Sequence, residues 1–226
     1  MDNYQEIISI IALTMGVGWA SGINLYAALL VLGIAGSTGN ISLPVELQIL
    51  QDPMVIMAAG IMFFTEFFVD KVPGVDTGWD AIHTFIRIPA GAMLAAGVVG
   101  DVSPALEVAA GILGGSMAGA SHLTKASTRA LINTSPEPFS NWAASITEDV
   151  AVLAGMWAMF NHPLLFLCLM VIFILLVIWL LPKLWQALKS IVKTVQRLFG
   201  AKSVDNDVDI AAPAQSMPPI QGIEKL

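Results

Sequence analysis

Long apolar runs separated by polar segments dominate the chain. Six runs are candidate membrane spans, at residues 7–36, 53–69, 88–101, 104–121, 142–160 and 163–182. A helix needs about 20 apolar residues to cross the ~30 Å hydrocarbon core of a bilayer. The run at 88–101 is short for a crossing unless the polar segment before it extends the helix backwards. The pattern predicts an all-α, polytopic membrane protein with about six transmembrane helices.

The first and last runs differ in regularity. Gly16, Gly18, Ser21 and Gly22 interrupt the first run and Asn24 follows, so we expect a kinked or broken helix there. Asn24 and Tyr26 near this break are weak candidates for lining a cavity. The last run is unbroken, and we expect it to end at Pro182. Residues 184–199 have the pattern of an amphipathic helix on the inner leaflet, and residues 200–226 have no periodicity. We therefore expect a transmembrane domain at 1–183, a cytoplasmic amphipathic helix, and a disordered tail.

The middle of the chain has the signs of an internal duplication. Segments 53–103 and 104–163 each begin with proline, continue with Ala-Ala-Gly and a polar insert, and end in a second apolar run. Similarity at a fixed period is the signature of repeated units. Because Ala-Ala-Gly is common in membrane sequences, the duplication is a hypothesis.

Composition narrows the class of protein. Of 226 residues, 56% are hydrophobic and 12% are charged, about half the charged share of a typical soluble domain. The single Cys168 excludes a disulfide scaffold, and a net charge of −7 argues against nucleic-acid binding. The chain has no Walker A, HExxH, CxxC or GxSxG pattern. We expect no cofactor, and the sequence leaves open whether the protein is an enzyme.

The basic residues predict the topology. With six spans, all ten lysines and arginines lie on one side, because the loops at 38–52, 102–103 and 161–162 contain none. The positive-inside rule makes that side cytoplasmic, with both termini inside. The first residues are acidic and lack the basic start of a signal peptide. The predicted location is the bacterial inner membrane.

The two polar inserts carry the candidate chemistry. In the first, Asp76, Asp80, His83 and Arg87 have offsets 0, 4, 7 and 11, which is one face of a helix. His122, Arg129 and Asn133 have matching offsets in the second insert. The full candidate set for binding a solute or ion is Glu66, Asp70, Lys71, Asp76, Asp80, His83, Arg87, His122, Lys125, Arg129, Asn133, Glu137, Asn141, Glu148 and Asp149.

The charges in this set are close to balance. Four basic side chains face six carboxylates in or beside the apolar runs. An excess of one or two carboxylates is what a cation or proton site would use. The alternative is that the inserts are cytoplasmic loops with solvated charges, although their aromatic residues favour an interfacial or re-entrant position. No compact spacing supports a metal site, and the identity of any metal is left open.

Several runs of residues resemble one family. Residues 66–76, 79–91, 122–129 and 133–142, with the pair Glu148-Asp149, resemble the DUF4126 family of bacterial membrane proteins, whose function is unassigned. The resemblance covers about residues 10–195. It implies a small multi-pass membrane protein in which the two polar inserts are the family signature. It supplies no substrate and no catalytic role.

Three functions remain open at this point. The first hypothesis is a transporter or channel for a small solute or ion. The second is a membrane scaffold or assembly factor with a cytoplasmic docking surface, and the third is an interfacial enzyme acting on lipids. Gly111, Gly115 and Gly119 form a small-residue stripe that serves either packing within the chain or a homo-oligomer.

Overall fold

Helices account for all the regular structure in the described part of the chain. The computed structural model describes residues 2–100, 102–134 and 138–204, and no strand occurs among them. The elements are α1 (Asp2–Ser37), a 3-10 helix (Val45–Gln51), α2 (Pro53–Val69), α3 (Val75–Val98), α4 (Pro104–Ile132), α5 (Pro138–Asn161) and α6 (Pro163–Val204). The all-helical prediction is confirmed. Residues up to Leu188 form one compact unit, and a second unit begins at Lys189.

The helix starts follow local rules. Asp52 precedes α2 and its side chain accepts a hydrogen bond from the Met54 amide at 2.7 Å. Ser103 does the same for α4, accepting from the Leu106 amide at 3.2 Å. Proline follows both caps, where its missing N–H costs nothing. The sequence therefore defines where each of these helices begins.

Helix α1 is broken at one residue, as the sequence predicted. Asn24 has φ −145° and ψ 96°, an extended conformation between two helical arms. The Asn24 side-chain oxygen accepts a hydrogen bond from the Ala27 amide at 2.9 Å, so Asn24 acts as the N-cap of the second arm. The chain therefore changes direction sharply at Asn24 rather than bending gradually.

The two arms of α1 run along α5 in opposite directions. On the first arm, Gly16 faces Met159 and Trp19 faces Gly155, so the numbering on α5 falls as α1 advances. On the second arm, the Asn24 side-chain Nδ2 donates to Asp149 Oδ1 at 3.0 Å, and Ala35 shares a cavity wall with Asn161. Helix α1 therefore turns back at Asn24.

This reversal corrects the prediction of a single crossing at 7–36. By length and composition, Asn3–Ser37 could span a membrane. However, Ile7 and Ile11 line one cavity with Val99 and Val102, at the end of the unit where α3 meets α4. The second arm returns to that end, because Gly33 lies against Leu50. The extended backbone at Asn24 allows the two short arms to share one end.

The polar inserts are halves of continuous helices rather than loops or hairpins of their own. Helix α3 runs from Val75 through the first insert and past Pro89, which extends the short run at 88–101 backwards. Helix α4 likewise continues to Ile132. The inserts are therefore helical in the described residues, and a re-entrant position in a membrane stays a prediction. The break at 135–137 lies outside them.

The polar faces of α3 and α4 meet in antiparallel register. Asn133 donates to Asp76 at 2.8 Å at one end of the contact. Thr84 contacts His122 at 2.7 Å toward the middle of the two helices. Because the two helices are antiparallel, the first residue of one stripe, Asp76, faces the last residue of the other, Asn133. The duplication of 53–103 and 104–163 stays a prediction.

Four helices are long and apolar enough to cross a membrane among the described residues: Asn3–Ser37, Val75–Val98, Phe139–Asn161 and Pro163–Ser190. The 3-10 helix and α2 together would add a fifth candidate, bent by 69°. Helix α4 is not among them, and the six-span count is not confirmed. Helix α6 continues through Pro182, so the predicted end there is wrong. The predicted tail lies outside the described residues from 205 onward.

Small residues allow close helix packing in the half of the unit that lies away from the polar stripes. Gly18 lies against the backbone of Gly114, and Gly91 lies against Ala118. Without side chains at these positions, α1, α3 and α4 approach closely. The stripe of Gly111, Gly115 and Gly119 faces α3 of the same chain, at Ala92, Ala96 and Ile88. Packing within the chain, one of the two predicted roles, is what the structure shows for this stripe.

We predict that Gly114→Ala destabilises the protein while Gly119→Ala does not. A Cβ at position 114 would overlap Ala95 and lie 2.7 Å from the Gly91 carbonyl, whereas at 119 it meets only the Ile88 side chain at 3.7 Å. Overpacking of this kind costs about 1–3 kcal/mol. Thermal unfolding in detergent measures both variants. Equal melting temperatures for the two would contradict the close α3–α4 contact.

Candidate functional site

One ammonium group lies at the centre of the buried charges. The Lys125 Nζ is within 4 Å of four carboxylates, at 2.7 Å from Asp70, 3.2 Å from Glu66, 3.8 Å from Asp80 and 3.8 Å from Glu148. These carboxylates come from α2, α3 and α5. A single side chain of α4 therefore links the charged faces of three other helices.

Two arginines complete the arrangement, and each joins two of the same carboxylates. The Arg87 guanidinium donates to Glu66 at 2.6 Å and to Asp80 at 3.0 Å. Arg129 donates to Glu148 at 2.6 Å and lies 3.6 Å from Asp70. We call the seven residues the ion-pair cluster: Glu66, Asp70, Asp80, Arg87, Lys125, Arg129 and Glu148.

Arg129 also fixes the backbone at the ends of two helices. Its Nη1 donates to the Asp70 carbonyl and to the Asn141 carbonyl, each at 3.0 Å, and also contacts the Asn141 side chain. The last residues of α2 and the first turn of α5 are thereby held together. A lysine could not make these contacts, because it lacks the planar fork of donors.

Burial rules out a solvated charged face. Six members of the ion-pair cluster expose 3% or less of their side chains, and Glu148 exposes 18%. Removing such groups from water costs several kcal/mol per ion unless they are paired. The expectation of ordinary cytoplasmic loops is wrong for these residues.

Three carboxylates of the cluster each have one oxygen without a donor. Glu66 Oε2, Asp70 Oδ1 and Asp80 Oδ2 are buried and have no hydrogen-bond partner within the described parts of the chain. Buried carboxylate oxygens are normally satisfied. The cluster therefore has capacity to accept further hydrogen bonds or protons.

The geometry fixes the tautomer of His122. Its Nδ1 lies 3.1 Å from Arg87 Nη1, and a guanidinium can only donate, so Nδ1 accepts. Its Nε2 therefore donates to Thr84 Oγ1 at 2.7 Å, and the Thr84 hydroxyl donates to the Asp80 carbonyl. His122 is held in place as a neutral ring beside the cluster.

The bend of α1 reaches into this site. Asn24 donates to Asp149 at 3.0 Å, and Lys125 donates to the Ile23 carbonyl at 3.2 Å. The break in α1 frees backbone groups, and buried side chains from α4 and α5 satisfy them. Residues of an interrupted helix are typical of ion sites at membrane depth.

His83 makes a separate set of polar contacts. Its Nδ1 donates to the Trp79 carbonyl at 2.9 Å, and its Nε2 lies 3.1 Å from the Tyr26 hydroxyl. The indole of Trp79 stacks on the imidazole, with ring centroids 4.2 Å apart. Tyr26 and Asn24 were only weakly indicated by sequence, and Thr84 was missed. For Asn24 and Tyr26, the available signal was their position beside the break in the first apolar run.

The remaining predicted residues lie at the edge of the cluster or beyond it. Asp76 accepts from Asn133 and from the Gly74 and Thr77 amides at the start of α3. Lys71 lies between α2 and α3 with its Nζ over the Phe67 ring. Partial burial lowers the pKa of the Lys71 ammonium, and the nearby carboxylates Asp149 and Asp70 oppose that shift. Glu137 lies outside the described residues.

The cluster is not a metal centre by composition. No group of three or more His, Cys, Asp and Glu side chains that could hold a metal ion occurs in the described part of the chain. The carboxylates of the cluster are instead separated by basic groups. The contacts within the cluster are ion pairs and hydrogen bonds.

A narrow cleft is lined by two members of the cluster, Lys125 and Glu148. It has a volume of about 180 Å³, and its other walls include Ser121, Thr124, Thr128, Thr147, Ala151 and Phe173. The hydroxyl groups of Ser121, Thr124 and Thr147 donate to backbone carbonyls of their own helices, so the surface of the cleft is mostly apolar. Glu148, the most exposed member of the cluster, reaches the protein surface at this cleft.

Comparison with known proteins identifies a family without assigning a function. The model of a domain of unknown function, DUF4126, matches residues 11–183. The chain belongs to the DUF4126 family. The matched range contains all of α1 after its first turns, the whole ion-pair cluster and the cleft, which confirms the resemblance seen in the sequence. Neither a curated protein nor a solved structure matches this DUF4126 protein.

We predict that Lys125→Met strongly destabilises the protein. The change leaves four buried carboxylates without their shared cation, and breaking a buried ion pair costs about 3–5 kcal/mol. Thermal unfolding in detergent measures the loss. Lys183→Met is the matched control, because Lys183 is exposed and lies over Trp179.

A second substitution separates charge from packing. Adding Asp70→Asn to Lys125→Met removes one of the stranded carboxylates, so the double variant should recover part of the lost stability. If the two changes are additive, the contact between Lys125 and Asp70 carries no net interaction.

Proposed function

We propose that this protein moves a small ion or solute across a bilayer and that the ion-pair cluster is its binding site. The observation that carries the proposal is the convergence of six buried charges and the partly buried Glu148 on the bend of α1. Intramembrane ionisable groups are expensive and typically mark ion or proton pathways. A purely structural unit could be held together by apolar packing at lower cost.

The distribution of polar residues along the unit supports a pathway that is open from one end. The buried charges extend from Asp76 at the start of α3 to Arg87 near its middle. Beyond Arg87, the buried residues of α3 are Gly91, Leu94, Ala95, Gly97 and Val98, without a polar side chain. Transport would require this half to open. Helices that meet through small residues lose few side-chain contacts when they move apart.

The alternative functions receive less support. A docking surface would need its charges on the outside, whereas the cluster is buried. A lipid-acting enzyme would need a nucleophile or general base open to a substrate, and Glu148 is the one cluster member with appreciable exposure. Its cleft of about 180 Å³ is smaller than the 300–1,000 Å³ of typical ligand pockets. The site fits a small ion better than an organic substrate.

We further propose that the protein lies in a bacterial cytoplasmic membrane with the charged end of the unit facing the cytoplasm. Lys71 lies at that end, as the positive-inside rule requires. Ile7 lies at the opposite end, beside Val99 and Val102. The turn of α1 therefore replaces the expectation that the N-terminus is cytoplasmic.

Cysteine labelling tests this topology. In a Cys168→Ala background, Tyr4→Cys should react with a membrane-impermeant thiol reagent from outside the cell, and Val72→Cys only from inside. Both wild-type side chains are exposed, at 76% and 49%, so accessibility within the protein is not limiting. Labelling of both positions from the same side would restore the six-span topology.

Ion flux in proteoliposomes tests the function. The purified full-length chain should carry protons, Na⁺ or Rb⁺ down an imposed gradient, measured with an internal pH dye or radiolabelled ions. Glu66→Gln, Asp80→Asn and Glu148→Gln should reduce the flux to that of empty vesicles, because each removes a charge of the cluster. Glu107→Gln, at an exposed position on α4, is the control and should leave flux unchanged.

Folding must be checked in the same samples. Each variant should elute from size exclusion in detergent at the wild-type volume before its flux is measured. Wild-type flux in all three cluster variants would show that the cluster does not carry transport.

A further inference from the structure

We propose that the ion-pair cluster holds one exchangeable proton on its carboxylates, and that this proton is the transported ion. The inference rests on the proposed function and names its substrate. It begins from a count of charges. Four carboxylates face three basic groups in the cluster, so the fully ionised cluster carries one uncompensated negative charge.

An uncompensated charge is costly at this position. Buried ions without partners are destabilised by several kcal/mol, and such groups neutralise by changing protonation. A metal ion is not favoured as the neutralising species, because no suitable group of ligands occurs within the described ranges. One proton neutralises the cluster and breaks none of the short ion pairs.

Asp80 is the carboxylate with the weakest compensation. Its oxygen Oδ1 lies 3.0 Å from Arg87 and 3.8 Å from Lys125. Glu66 has contacts of 2.6 and 3.2 Å to the same two cations. The second Asp80 oxygen, Oδ2, has no hydrogen-bond partner among the described residues. Asp80 Oδ2, like Glu66 Oε2 and Asp70 Oδ1, therefore has room for a hydrogen without loss of an ion pair.

The neighbouring titratable groups leave this count unchanged. His122 is neutral by its contact with Arg87, and His83 donates from Nδ1 and can accept from Tyr26 as a neutral ring. The groups that face the cluster from the surrounding elements are Tyr26 on α1, Lys71 before α3, Asp76 and His83 on α3, His122 on α4 and Asp149 on α5. Asp76 and Asp149 exceed Lys71 by one negative charge, which adds to the tendency to bind a proton.

The proton can exchange with water at Glu148. The Glu148 side chain is 18% exposed and lines the cleft. Lys125 lies within 3.8 Å of both Glu148 and Asp80. A proton from water at the mouth of the cleft binds the Glu148 carboxylate. Lys125 takes up this proton as its ammonium gives one of its own to a neighbouring carboxylate, so Glu148 returns to its ionised form and Lys125 stays charged.

Infrared spectroscopy tests the proton without any transport. In detergent at neutral pH, the wild-type protein should show the C=O stretch of a protonated carboxylic acid, shifted in D₂O. Asp80→Asn should lose this band, because three carboxylates then balance three cations. Glu148→Gln should also lose the band, for the same reason. Glu107→Gln should retain the band.

Three results of the infrared measurement would contradict the proposal, each in a different way. The proposal fails if the wild-type spectrum contains no such band, which would mean that Glu148 carries the excess charge in the cleft. A band that survives Glu148→Gln would show that charge balance does not set protonation. A band lost only in Asp149→Asn would place the proton at the α1 bend.

Flux measurements separate this inference from the proposed function. Proton flux without Na⁺ or Rb⁺ flux supports both. Flux of Na⁺ or Rb⁺ without proton flux would overturn the inference and leave a transport function in place. If no ion moves and the band is present, transport fails while the buried proton stands.

Discussion

The unit depends on the burial of the Lys125 ammonium among oxygen atoms from four other elements. Its partners are the Ile23 carbonyl at the bend of α1 and carboxylates from α2, α3 and α5. Neither the ammonium nor these carboxylates can be buried alone at acceptable cost. Each helix therefore brings a charge that only the assembled unit can compensate.

This requirement explains the unusual course of α1. A straight helix would satisfy its own backbone and present no free carbonyl to Lys125. By turning at Asn24, α1 offers the Ile23 carbonyl, and the Asn24 side chain caps the second arm and donates to Asp149. In a membrane, irregular backbone is tolerated only where protein or water covers it. The ion-pair cluster supplies that cover.

The two halves of the unit are held together by different interactions. Close glycine contacts such as Gly18 with Gly114 bring helices together where no charged side chain is buried. At the other half, charges replace small residues as the means of association. The ion-pair cluster there has one more carboxylate than it has cations, and the proposed ion binding rests on that excess.

The sequence alone determined the helical class, the membrane-like composition, the helix starts at Asp52 and Ser103, the break near Asn24 and the membership of the polar set. These features follow from local composition and spacing. Tertiary structure decided which charges pair, because the equal offsets of the two inserts fit either repeated loops or facing antiparallel helices. It also decided that α1 turns back, since the direction of a chain after a break depends on the surfaces that receive it. Burial then converted a list of charged residues into one ion-pair network around Lys125.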